Sequence, residues 1–250
     1  MPSIDELRSF MHSEFGDGFP WSPSDQQKGL PPPPHQLPAP DGAKVIELPK
    51  PDASVIRKNG IWECIGQRRS RRDYVSEPLR LAELSFLLWT TQGVKETGPA
   101  YSLRTVPSAG ARHPFETYLA VRNVDSLDEG LYRYLPLDHA LVVLPPVEHL
   151  RRKLIFAALD QAFVGNAAVV FLWSCIPYRG EWRYGTRAHK EMLLDAGHLG
   201  QNLYLACEAI DCGTCGIGAY DQDRMNELVG VDGEDEFVVY LAPVGRTSGK

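Results

Sequence analysis

Met192-Leu-Leu-Asp-Ala196-Gly-His-Leu199-Gly-Gln-Asn-Leu203-Tyr-Leu-Ala206-Cys-Glu-Ala-Ile210 is the stretch on which the fold turns. Met192, Ala196, Leu199, Leu203, Ala206 and Ile210 recur at steps of three and four, which puts them on one face of a helix of roughly 20 residues. A single apolar stripe of that length marks a central helix. Upstream, Ala167 to Trp173 is a near-continuous apolar run, the pattern of a strand covered on both faces. Glu116 to Arg122 and Leu141 to Leu144 are short and β-branched or alternating, and read as further strands. Leu81, Leu84, Leu87 and Leu88 at helical spacing, with Pro78 just ahead, predict another helix. Downstream come a glycine-rich loop, Gly213 to Gly218, and a last strand, Glu236 to Ala242, with Gly245-Arg246 beyond it. Helices and strands mix without βαβ alternation, so the class is α+β layers rather than a doubly wound sheet.

The 250 residues are 43 % hydrophobic and 23 % charged, the usage of one large globular core. Lys+Arg number 26 against 32 Asp+Glu, and the net charge of −6 argues against a general polyanion binder. The longest apolar run is seven residues, whereas a bilayer span takes about 20. The start of the chain carries Asp5 and Glu6 and no signal-peptide pattern, so the cytoplasm is the expected compartment. Five cysteines, an odd count, read as reduced thiols rather than a disulfide framework. Eleven of the 20 prolines lie in residues 1–51, including Pro31 to Pro34. That density predicts an extended arm, followed by one domain over 52–250. Phe19, Trp21, Val45, Ile46 and Leu48 give the arm apolar anchors for lying across a partner subunit.

Four features carry chemistry. Gln67-Arg68-Arg69-Ser70-Arg71-Arg72 gathers four guanidinium groups and a hydroxyl in six residues of an acidic protein. Guanidinium forks match phosphate oxygens, and Arg68, Ser70 and Arg72 at alternating positions can wrap one phosphate. A solvated basic turn is the competing reading; a nucleic-acid patch is disfavoured, because no aromatic residues interleave. Arg104-Thr-Val-Pro107-Ser108-Ala109-Gly110-Ala111-Arg112-His113-Pro114 has small residues that let backbone approach a flat ring, or else is a surface loop. Cys212-Gly-Thr-Cys215-Gly216-Ile217-Gly218-Ala219-Tyr220 contains one Cys-x-x-Cys pair. Zinc needs three or four protein ligands and no second pair occurs, so no metal is assigned. Its glycines instead free backbone N–H groups to point at a ligand. Arg246, past the last strand, is a further cation that can join the phosphate site.

In this order, Arg68-x-Ser70-x-Arg72, Pro107 to Gly110, Asp195-Ala-Gly-His-Leu-Gly-Gln-Asn-Leu203, Gly213 to Tyr220 and Gly245-Arg246 resemble the FMN-dependent nitroreductase superfamily across residues 60–247. Arg69 to Tyr74, Leu87 to Gly93, Arg104 to Pro114, Gly130 to Tyr134 and Leu241 to Arg246 are similar to its SagB-type dehydrogenase branch. The resemblance implies a nitroreductase-like three-layer α/β/α sandwich with a central mixed sheet, a homodimer, and two FMN sites at the subunit interface. It implies that Arg68, Ser70, Arg72 and Arg246 hold the FMN phosphate. The backbone of Gly216, Ile217, Gly218 and Ala219 faces the flavin N5 edge, and Gln161 reaches the polar edge of the ring. The same resemblance implies that Pro107, Ser108, Ala109 and Gly110 come from the other subunit.

Two departures from that pattern matter. Many members have Asn where Ala111 stands. SagB-type enzymes that oxidise azoline rings in peptides are characterised by an adjacent Lys-Tyr pair, and the corresponding place here is Arg183-Tyr184. Arginine stays protonated, so Tyr184 is the candidate base with Arg183 as its electrostatic partner, and Lys190 a substitute. Trp173, Tyr178 and Trp182 line a pocket or fill the core. The leading expectation is an FMN oxidoreductase moving hydride between flavin and a small organic substrate, with NAD(P)H as reductant. The alternatives are a SagB-type dehydrogenase acting on a peptide and a non-catalytic flavin-binding dimer; no nucleic-acid or membrane partner is expected.

Overall fold

The apolar run near residue 170 lies in the middle of a seven-stranded sheet with both of its faces covered. The computed structural model describes residues 2–13 and 22–248. In chain order they form helix α1 (Ile4–Phe10), strand β1 (Val45–Glu47), helices α2 (Ile61–Gln67) and α3 (Leu81–Gln92), and a hairpin of β2 (Val94–Gly98) and β3 (Tyr101–Arg104). Strands β4 (Phe115–Val121), β5 (Gly130–Leu135) and β6 (Ala140–Val143), helix α4 (Leu150–Ala157), strand β7 (Val169–Cys175) and helices α5 (Tyr178–Tyr184) and α6 (Ala188–Ala209) follow. Strand β8 (Cys212–Thr214), helix α7 (Gln222–Val229) and strand β9 (Phe237–Arg246) complete the chain.

The sheet order is β1-β6-β5-β4-β7-β9-β8. Its ladders are all antiparallel, which corrects the expected mixed sheet. β4, β5 and β6 are joined by short turns, and such connections can only pair strands antiparallel. Parallel contact is confined to isolated bridges, Ser70 with Thr214 and Leu79 with Val124.

Alternation along the strands builds two cores. Leu119 and Val121 of β4 and Phe171 and Trp173 of β7 face α3 and α6, where Leu84, Leu87, Leu199 and Leu203 cover them. Tyr118, Ala120, Val170 and Leu172 face the other way, against Leu150 and Leu154 of α4 and Met225 and Leu228 of α7. The three layers of the expected α+β sandwich are therefore present. α3 starts where Arg80 N–H donates to Glu83 Oε2 at 2.9 Å, and α7 where Asp221 accepts from Arg224 N–H at 3.1 Å.

Two boundaries differ from the sequence reading. The expected loop at 213–218 begins as edge strand β8, and the last strand runs on through Pro243 to Arg246. Proline removes one ladder donor, but β8 pairs with the stretch beyond it, Cys212 opposite Arg246, and holds the strand in register.

The proline-rich segment is bound to its own subunit. Val45–Glu47 joins the sheet beside β6. Trp182 Nε1 donates to Leu30 O at 3.0 Å, Arg104 Nη2 to His35 O at 2.7 Å and Arg133 Nη2 to Pro38 O at 2.6 Å. Of the anchors expected in this arm, Phe19 and Trp21 lie outside the described residues. No described helix is long and apolar enough to cross a membrane.

Candidate functional site

The expected ligand residues gather in two clusters at different places along α6. The first surrounds Tyr204. Arg68 caps α2, and the chain after it runs beside β8, where Arg71 N–H donates to Thr214 O at 2.9 Å. Tyr74 Oη pins the same segment to Pro243 O at 3.1 Å. Ser70 Oγ lies 2.9 Å from Tyr204 Oη, and Gly216 N–H donates to that oxygen at 2.7 Å. The Arg68 guanidinium stacks 5.2 Å from the Tyr204 ring centroid. Gln161 Nε2 donates to Ala219 O at 3.0 Å, and Arg72 sits 5.7 Å from the ring of Phe163. The structure thus brings Arg68, Ser70, Arg72, Gln161 and Gly216 to Ala219 to one sheet edge.

Gly216 is required there. A Cβ at this position would run into the Tyr240 hydroxyl, and Tyr240 is held by stacking on buried Trp173, ring centroids 5.6 Å apart. Two of the four loop amides are engaged internally, Gly216 with Tyr204 and Ile217 with Leu241 O at 2.8 Å. Gly218 and Ala219 are exposed, and a Cβ at Gly218 would meet open space.

The donor set suits an anionic, flat ligand. Arg68 and Arg72 make no ion pair among the described residues, and buried Thr214 Oγ1, bridged to Ser70, has no hydrogen-bond partner. Those are the requirements of a phosphate, and the exposed Gly218 and Ala219 amides lie on the same sheet edge, so the residues present fit FMN.

Arg246 is placed differently. It is buried, its Nη2 reaches both Glu83 oxygens at 2.6 Å, and its Nη1 donates to Ile210 O at 2.8 Å. Burial pushes the Glu83 carboxyl up, but hydrogen bonds from Arg80 and Arg246 outweigh it and hold the group below its ordinary range. Arg246 therefore ties the end of β9 to α3 and α6, behind the open cations.

The second cluster surrounds Asp195. This carboxylate, 6 % exposed, accepts from Ser108 Oγ at 2.5 Å and from Ala109 N–H at 3.2 Å. Ser108 Oγ in turn accepts from His113 N–H at 2.9 Å. Between them the chain is left-handed at Gly110 (φ 58°), Ala111 (φ 54°) and His113 (φ 45°). Asparagine enters this region more readily than alanine, which gives a physical reason for the family's Asn where Ala111 stands. A Cβ on Gly110 would meet Tyr184 Oη at 2.5 Å and Arg183 Nε at 2.7 Å. The loop thus lies directly on the Arg183-Tyr184 pair, in which Arg183 Nε donates to Tyr184 Oη at 3.2 Å. Lys190 is engaged elsewhere, with Met11 O at 2.6 Å and Ser13 Oγ at 3.1 Å.

Asp195 and Tyr204 are nine positions apart on α6, about 13 Å along the axis. Sequence reasoning passed over Tyr204 and gave Asp195 no role. Asp195 did leave a signal, since an acid three residues after Met192 falls on the buried face of the helix.

The fold is an α+β sandwich with a donor set open at one sheet edge. The model of the Nitroreductase family matches residues 65–246, and the chain belongs to this family, whose usual cofactor is FMN. It is 34 % identical over 201 residues to the nitroreductase relative MJ1384 of Methanocaldococcus jannaschii, an alignment covering 80 % of this chain and 96 % of the relative. A nitroreductase-fold structure from Anabaena variabilis superposes with a TM-score of 0.67 at 30 % identity, covering 82 % of this chain but only 42 % of that one. The E. coli microcin synthetase McbBCD complex with truncated pro-MccB17 bound shares the fold, with a TM-score of 0.60 at 18 % identity over 99 % of this chain and 83 % of that chain.

Proposed function

We propose that the protein is an FMN-dependent oxidoreductase acting as a homodimer, each flavin lying between the Tyr204 cluster of one subunit and the Pro107–Gly110 loop of the other. The observation that carries this reading is the open donor set around Tyr204: Arg68, Ser70 and Arg72 beside the exposed amides of Gly218 and Ala219. Arg68, Ser70 and Arg72 bind the phosphate, braced from behind by the Arg246–Glu83 pair. The exposed Gly218 and Ala219 amides would orient the ring, and Gln161 stands beside them. Donors fixed in advance would favour negative charge on a ligand beside them without reorganising.

The dimer is supported by what each subunit leaves uncovered. Trp62 of α2 is 90 % exposed, and Ile61, Ile65, Leu193 and Leu194 are exposed with it on α2 and α6. Apolar surface of this kind marks an interface. A groove of about 1010 Å³ in the single chain runs along α4, lined by Val147, Arg151 and Phe156, and contains none of the site residues.

When bound, FMN supplies a ring that accepts and donates hydride. Around it, Tyr184 Oη exchanges a proton with the substrate, while the Arg183 N–H bond fixes the direction of its lone pair. A nicotinamide donor and an organic acceptor use one exposed face in turn, which predicts ping-pong kinetics. The likeness to the McbBCD complex, with its bound peptide precursor, supports a second reading: oxidation of azoline rings in a peptide. The deciding experiment is the visible spectrum before and after anaerobic NADH or NADPH. Bleaching supports the nicotinamide-dependent reading. Bleaching by an azoline peptide alone supports the second, and a yellow protein that nothing bleaches is a flavin binder without turnover.

A further inference from the structure

The neighbourhood of the Pro107–Gly110 loop holds more positive charge than the described residues neutralise. Glu116 is engaged by two guanidiniums, Arg179 Nη2 at 2.5 Å and Arg133 Nη1 at 3.3 Å. Asp195 is closed by Ser108 and Ala109, and Glu181 lies 2.8 Å from His189. Each nearby carboxylate therefore already has its partners.

Among the described residues, Arg112 and Arg183 have no carboxylate partner. Arg112 is 2 % exposed, stacks 4.7 Å from the Trp182 ring centroid and donates only to carbonyls, Arg179 O at 3.0 Å and Ala100 O at 2.6 Å. Its Nη2 is buried without an acceptor. Burial lowers the pKa of this guanidinium, and among neighbouring charges Arg183 presses on it most. Arg183 itself is exposed, bonded to the Tyr184 hydroxyl and packed on Gly110. A buried cation with no counter-charge among the described residues, behind an exposed one, focuses positive potential on the space in front of Tyr184.

We propose that Arg183, backed by Arg112, is an anion subsite that selects substrates bearing a carboxylate next to the reacting group. This rests on the reading of Tyr184 as part of the active face. The guanidinium fork takes both carboxylate oxygens and sets the substrate's orientation against Tyr184 Oη. A neutral isostere loses the charge-assisted bonds.

The test is calorimetric titration of the purified full-length protein with benzoate and with benzamide, a pair alike in shape and different in charge. Benzoate is expected to bind about tenfold tighter than benzamide, the effect of one charge-assisted contact. The ratio falls to near one in Arg183→Gln and is partly kept in Arg183→Lys, a comparison open to measurement because Arg183 is exposed. Equal affinities in the wild type, an unchanged ratio in Arg183→Gln, or no benzoate binding at millimolar concentration overturns the proposal. Flavin absorbance read on the same samples separates the two claims. A yellow, bleachable protein with a ratio near one refutes the anion subsite alone, whereas a colourless protein refutes the flavin reading.

Discussion

The two ends of α6 handle polar groups in opposite ways. Around Tyr204 they are left open: cations without an ion pair among the described residues, a buried hydroxyl without a partner, and loop amides facing solvent. Around Asp195 they are closed on one another, with Ser108, Ala109 and His113 linked into one network that holds three left-handed residues. The open end is built to be completed by a ligand. The closed end is a preformed surface, and its strain is balanced before any ligand arrives. The same contrast separates the arginines, since Arg68 and Arg72 await an anion while Arg246 already has Glu83.

The contrast breaks first if Arg68→Ala with Arg72→Ala leaves flavin binding intact. Two charge-assisted contacts are removed, and the expected outcome is FMN affinity weaker by about a hundredfold or more in a protein whose circular dichroism is unchanged. Next in size is Glu83→Gln, which removes the buried, bidentate partner of Arg246 and leaves it only exposed Glu77, 3.3 Å from its Nε. Chemical denaturation should show a loss of about 3–5 kcal/mol, with flavin affinity falling less than in the double variant.

A smaller effect concerns pH. Burial first, and then Arg104, pushes the His113 imidazole down to about 2. Burial and the charge of Arg112 lower His35 to about 4. Both folded values lie below the ordinary 6.5, so the unfolded chain takes up protons that the folded chain refuses. The stability these neutral rings allow is complete above 6.5 and declines as pH falls through the interval toward 4. Melting temperature measured across that range should drop, and His113→Asn should make the drop shallower. The smallest effect sharpens the account of the closed loop: Ala111→Asn relieves a left-handed alanine and should stabilise by about 0.5 kcal/mol in the same denaturation assay.

Much of this architecture was readable in the residues. The spacing from Met192 to Ile210 identified α6, and the run at 167–173 identified the covered strand, because both patterns follow from burial, which is periodic along the chain. Strand direction follows from the chain only where neighbours are joined by a short connection, as β4, β5 and β6 are; elsewhere it depends on which strands become neighbours. Pro243 masked the last turn of β9, because a proline's missing donor says nothing about the partner on the other side. At the site, the run from Arg68 to Arg72 could be found by charge density alone. The difference between it and Arg246 could not, for Glu83 lies far away in sequence. Tyr204 was hidden for a related reason. A tyrosine on a long amphipathic helix looks like packing until the segment carrying Ser70 is laid across it.

The most direct measurement is the flavin-to-subunit ratio of the purified protein across a gel-filtration peak whose mass is determined by light scattering. The account predicts a dimer carrying one FMN per subunit, with colour and dimer lost together when the subunits are separated by dilution. A monomer that retains stoichiometric FMN, or a dimer unable to bind it, would contradict the central claim that two subunits complete each site.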